Sequence, residues 1–201
     1  MFYIGIDLGQ KHDHTAIVII ERPERIAENR YRAYNAQPPL PLELQVRRAE
    51  RIPLGTPYPR IVETIRTITH THPFAGQCAV VVDASGVGAP VVDLLRTAGL
   101  DGELMAVTIT GGERQSGSYR STTVPKKDLL AALQVSLEKG ELRISPRMPG
   151  VHTLVREMVH LNSNKRGEHD DLVLALALAC WRARRPRIGY GHSPIPGTPC
   201  G

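Results

Sequence analysis

The chain has 201 residues, 41% of them hydrophobic, which is enough for one core of ordinary single-domain size. It contains neither a membrane-length apolar run, roughly eighteen residues or more, nor the basic, apolar and small-residue succession of a secretory leader, so the expectation is a soluble, cytoplasmic protein with no membrane partner. Its three cysteines, Cys78, Cys180 and Cys200, form no C-x-x-C pair, which argues against a disulfide framework or zinc knuckle, and a net charge of +5 permits a polyanionic partner without identifying one.

In chain order, Phe2 to Asp7 and Thr15 to Glu21 are rich in Ile and Val and are joined by a polar, Gly-containing turn, which predicts a β-hairpin. Residues 22–41 are charged and then proline-rich, and read as a loop leading to a third strand in which Leu42, Leu44 and Val46 alternate with polar residues. That alternation suggests an edge strand. Ile61, Val62, Ile65 and Ile68 fall at helical spacing between Pro59 and Thr71. The run CAVVVD at 78–83 suits a strand buried on both faces, and GVGAPVVDLLRTAG a glycine turn and a helix closed by Gly99. Leu104 to Ile109 reads as another buried strand, and 111–123 as a long polar loop. An amphipathic helix from Pro125 to Lys139, a short strand ELRI, and helices from about Val151 to Leu161 and from Asp170 to about Arg184 follow. The Pro/Gly-rich segment 186–201 reads as a disordered tail after a single domain spanning 1–185.

Acidic residues stand at three element ends. Asp7 closes the first strand, Asp83 closes CAVVVD, and Asp170 and Asp171 open the last helix. If the first and fourth strands are parallel neighbours, Asp7 and Asp83 face each other across about 5 Å. Carboxylates that close repel, which raises a pKa or demands a cation, and a hard ion such as Mg²⁺ takes carboxylate oxygens at about 2.0 to 2.1 Å. Each acid taken alone has a plainer reading. Asp7 and Asp83 could be turn formers, and Asp suits a helix N-cap, although capping accounts for only one of the pair at 170 and 171.

The order strand-Asp7, strand-Asp83-A-S-G-V-G, helix, strand, long loop, V-P-K-K-D-L-L and G-E-H-D-D-L-V-L-A-L-A-L-A resembles the nuclease domain of phage terminase large subunits. That domain belongs to the ribonuclease H-like superfamily, alongside Holliday-junction resolvases and transposases. The resemblance runs to about residue 184 and implies an α/β fold: a mixed five-stranded sheet, with an antiparallel hairpin and edge strand plus parallel strands, flanked by helices. It places the catalytic, metal-holding acids on Asp7, Asp83 and the pair Asp170 and Asp171, with Asp171 the principal ligand of the pair. Asp13 matches a further acidic position of the first hairpin, whereas a carboxylate that some relatives carry in the last helix is Leu174 here. The chemistry implied is phosphodiester hydrolysis by two Mg²⁺ or Mn²⁺ ions about 3.5 to 4 Å apart. The partners implied are double-stranded DNA and, in a phage or prophage setting inside a bacterial host, a packaging ATPase, a small terminase subunit or a portal. No P-loop motif G-x-x-x-x-G-K-[ST] is present, so the resemblance is to the nuclease domain without its motor.

Other readings are a Holliday-junction resolvase-like nuclease, an inactive nucleic-acid-binding module, and an ATPase fragment of the actin or chaperone type, which also opens with IGIDLG. The ATPase reading needs a second such domain, and no repeat is visible. The inactive reading would need a missing acid, and all three positions are filled. Arg114, Arg120, Lys126 and Lys127 flank the long loop, while Lys165 and Arg166 precede the acidic pair. Both groups are candidates for DNA phosphate contacts, and His169 for an auxiliary role. With 4% aromatics, backbone contact is expected over base stacking.

Overall fold

The computed structural model describes residues 1–9, 13–38, 40–86, 88–118, 120–160 and 170–185. The expected hairpin is present: β1 (Phe2–Asp7) and β2 (Ala16–Glu21) pair antiparallel, with Asp7 opposite Ala16. A short helix, α1 (Ile26–Tyr34), follows within the stretch expected to be a loop. Its Tyr31 and Tyr34 are exposed, and none of its described side chains is fully buried, so the sequence shows little of it.

The third strand is β3 (Leu44–Arg51), and the next two elements, α2 (Tyr58–His70) and β4 (Cys78–Asp83), lie within a residue of their expected bounds. They are followed by α3 (Gly88–Thr97) and β5 (Glu103–Thr110). The segment 111–123 is not one long loop. It folds back through β6 (Ser116–Gly117) into β7 (Ser121–Pro125), which runs parallel to β5. The inward positions of β7 include Thr122 as well as Val124, so its period-two pattern is concealed by a buried hydroxyl residue. The chain continues through α4 (Lys126–Glu138), β8 (Leu142–Ile144), α5 (Val151–His160) and α6 (Asp171–Ala183).

The eight strands among the described residues form one mixed sheet in the order β6-β7-β5-β4-β1-β2-β3-β8. It is wider than the five strands expected, and β3 is not an edge, because β8 pairs with it from Leu44 to Val46. Side-chain alternation separates two cores. Phe2, Ile4 and Ile6 of β1 and Val80 and Val82 of β4 pack with α2 and α3. Tyr3, Val18, Ala79 and Val81 pack with α4, α5 and α6 on the other face. Covering both faces explains why β1, β2 and β4 read as unbroken apolar runs. Cys78 and Cys180 are buried thiols. No helix among the described residues is long and apolar enough to cross a membrane. The proposed tail at 186–201 and the positions of Lys165, Arg166 and His169 lie outside the described residues.

Candidate active site

Register and alternation together bring the acids of the sheet to one place. β1 and β4 are parallel, with Ile6 beside Val82, and one further residue sets Asp7 beside Asp83. Both continue the alternation of Tyr3, Ala79 and Val81, so both face the α6 layer at the carboxyl end of the sheet. The same row extends across the sheet: Asp7 is opposite Ala16, and Ala16 is opposite Arg51 at the end of β3.

Packing of α6 on β1 brings in the other two acids. A Cβ on Gly5 would lie 1.9 Å from the carbonyl oxygen of Ala175, so only glycine lets the helix backbone settle this closely on the strand. Further along α6, the Arg182 guanidinium lies 5.9 Å from the centre of the Tyr3 ring, so the helix runs antiparallel to β1. From Ala175 back to Asp171 is about 6 Å of helix, and from Gly5 to Asp7 is about 6.6 Å of strand. The first turn of α6 therefore arrives over Asp7.

The electrostatics record this convergence. The carboxyl pKa of Asp7 is raised from the usual 3.8 to about 8, first by burial and then by the negative charges of Asp83, Asp171 and Asp170, with Lys126 opposing. Asp13 is exposed, before β2.

Their other contacts test the plainer readings. Asp83 Oδ1 accepts the Ser85 N–H at 2.8 Å, so it does support its turn, through one oxygen. Asp170 occupies the N-cap position of α6 but makes no side-chain cap hydrogen bond, and its Oδ2 accepts from Lys126 Nζ at 2.8 Å instead. Capping falls to Glu157 of α5, whose Oε2 accepts the N–H groups of Leu172 at 2.9 Å and Val173 at 3.2 Å. Its Oε1 accepts from Arg51 Nη2 at 2.7 Å, and the same nitrogen is 3.6 Å from Asp171 Oδ2. Burial raises the Glu157 pKa, with Arg51 and the two backbone N–H groups pulling against it.

Gly5, Arg51 and Glu157 escaped the sequence reading. Two signals were there to find: a glycine inside an apolar strand, and a glutamate in line with Val151 and Leu154 on the buried face of α5.

The candidate basic residues divide. Lys126 and Lys127 open α4 at the carboxylate end, where Lys127 pairs with Glu113, and Arg114 is exposed in the neighbouring 111–115 segment. Arg120 lies in the β6–β7 turn, where its carbonyl accepts the N–H of Ala106, two residues before Thr122 in the row of Val107 and Asp83. Arg182, Arg184 and Arg185 are held internally: Arg182 pairs with Glu103, Arg184 with Glu141, and Arg185 stacks on Trp181.

The donor set is all carboxylate, which suits hard ions such as Mg²⁺ or Mn²⁺, and the charges of Asp83, Asp171 and Asp170 add to burial in raising the Asp7 pKa. Among the described residues, no three His, Cys, Asp or Glu side chains are already drawn into one metal shell. Lys126 and Arg51 instead hold the two helix acids from the side. The residues thus fit a divalent ion in chemistry, with rotation of side chains needed to form a shell.

No family model and no curated protein matches this sequence. Among solved structures, the large terminase nuclease of the thermophilic phage G20c aligns with a TM-score of 0.55 and 19% identity, covering 89% of this chain and 80% of that one. The human cytomegalovirus terminase nuclease domain, in a manganese-soaked crystal, aligns at 0.54 and 13% identity over 89% and 81% of the two chains. The large terminase nuclease domain of bacteriophage SPP1, with bound manganese, gives 0.51 and 14% over 90% and 85%. These likenesses establish the fold as the ribonuclease H-like fold of terminase nuclease domains, as the sequence resemblance implied.

Proposed function

We propose that this protein is a divalent-metal-dependent endonuclease that hydrolyses phosphodiester bonds of double-stranded DNA with little sequence preference. The observation that carries the reading is the convergence of Asp7, Asp83, Asp171 and Asp170 on one end of a terminase-nuclease-like sheet, where burial first and then the three neighbouring charges lift the Asp7 pKa to about 8. Asp7 and Asp83, fixed by strand register, and Asp171, fixed by the seating of α6, are the proposed holders of two Mg²⁺ or Mn²⁺ ions, with Asp170 assisting. When bound, such ions supply Lewis acidity at the scissile phosphate and lower the pKa of an attacking water.

The chain's own residues do the rest. The carboxylates concentrate negative charge where cations must bind, while Lys126, Lys127 and Arg114 at the same end offer positive charge to the DNA backbone. The unit responsible is the domain 1–185. Partners resembling those of packaging nucleases, a motor ATPase above all, belong to the same proposal and are the part with least support from the site itself.

The test is nicking of supercoiled plasmid in Mn²⁺, Mg²⁺ or EDTA, with Asp7→Asn and Asp171→Asn beside wild type. Cleavage in either metal, lost in EDTA and in both folded variants, is the expected result. Full cleavage in EDTA overturns the proposal, and metal-dependent ATP hydrolysis without nicking would favour the ATPase reading.

A further inference from the structure

We propose that Arg51 and Glu157 are positioning residues for the carboxylate cluster, fixing the first turn of α6 so that Asp171 meets Asp7 and Asp83. The inference rests on the metal-site reading above. Glu157 is buried, at 7% exposure, and uses both oxygens: one on the N–H groups of Leu172 and Val173, the other on Arg51 Nη2 at 2.7 Å. The Arg51 nitrogen held in this way is also 3.6 Å from Asp171 Oδ2. Three elements far apart in sequence, β3 at its end, α5 at Glu157 and α6 at its start, are tied together at one proposed ligand.

Arg51 is placed for this by the sheet. It shares the cross-strand row of Ala16 and Asp7 and, two residues after inward-facing Ala49, projects to the α6 side. Its partner Glu157 is tied to backbone N–H groups, so the guanidinium has a fixed anchor. Asp171 is itself buried at 6% exposure, and an arginine beside it limits the directions its carboxylate can take.

Two physical roles for Arg51 predict opposite signs. As a mere positive charge, it repels an incoming cation, and its removal should tighten metal binding. As a positioning group it orients a ligand, and its removal should weaken binding, by the 10- to 100-fold or so typical of groups behind metal ligands. Titration calorimetry with Mn²⁺ on wild type, Arg51→Gln, Arg51→Lys and Glu157→Gln separates them, with plasmid cleavage followed across Mn²⁺ concentration as a second readout.

Glu157→Gln keeps an oxygen for the two N–H groups but loses the charge that orients Arg51. We expect Arg51→Gln and Glu157→Gln each to bind Mn²⁺ about tenfold more weakly or worse, and to need correspondingly more Mn²⁺ for half-maximal cleavage. Arg51→Lys keeps the charge without the planar fork and should recover only part of the loss. If Arg51→Gln does not fold, Arg51→Lys and Glu157→Gln carry the test. Mn²⁺ binding as tight as or tighter than wild type in the folded variants overturns the inference alone. A wild type that binds no Mn²⁺ overturns the metal-site reading and the inference with it.

Discussion

Asp7 shows how far a single residue can be read. Its place at the end of an apolar strand was visible in the sequence, whereas Asp83 became its neighbour only if the first and fourth strands paired in parallel, as they do. The Asp7 pKa was not visible, because burial and three negative charges from distant segments set it. The consequence for stability has a definite sign. Between the unfolded pKa near 3.8 and the folded value of about 8, the native state holds a proton that the unfolded state has released. Asp7 therefore contributes stability below about pH 4 that is progressively lost as pH rises through 8, with a limiting slope of about 1.4 kcal/mol per pH unit. Urea unfolding in EDTA should show wild type losing ground to Asp7→Asn from about pH 5 to pH 8. A gap that does not change with pH would mean that Asp7 titrates normally in the folded protein.

Among the elements, the long apolar helix and the strands with two covered faces were legible because their patterns are dictated by burial. Less was legible where burial is slight or is made by polar residues, as in α1 with its exposed tyrosines and β7 with buried Thr122. At the end of the last helix, Arg182, Arg184 and Arg185 serve packing and ion pairs. The decisive element contact is α6 on β1 at Gly5. Gly5→Ala would drive a methyl group into the Ala175 carbonyl, and should cost about 1–3 kcal/mol or more by displacing the helix. Gly111→Ala, where a Cβ meets nothing within 4 Å, should stay within about 0.5 kcal/mol. Equal unfolding midpoints for the two variants would mean that α6 is not seated as closely as described.

At the scale of the whole molecule, a net charge of +5 coexists with a cluster of acids, so repulsion from the site must be outweighed by basic groups around it if DNA is to bind. Binding should thus be electrostatic and fall by orders of magnitude between about 50 and 200 mM salt, alike for unrelated sequences. Affinity that is flat across that range would exclude backbone tracking. The broader claim is that the fold gathers carboxylates which are strained together when empty and relieved by a divalent ion. Thermal melts of wild type and Asp83→Asn, in EDTA and in Mn²⁺, test it most directly. In EDTA at about pH 8.5, where Asp7 is also ionised, the variant should melt at or above wild type, because one repelling charge is gone. In Mn²⁺ the order should reverse, since the ion stabilises only the folded state that binds it and the variant has lost a ligand. A variant destabilised by the same amount in both conditions would mean that Asp83 holds its turn and holds no metal.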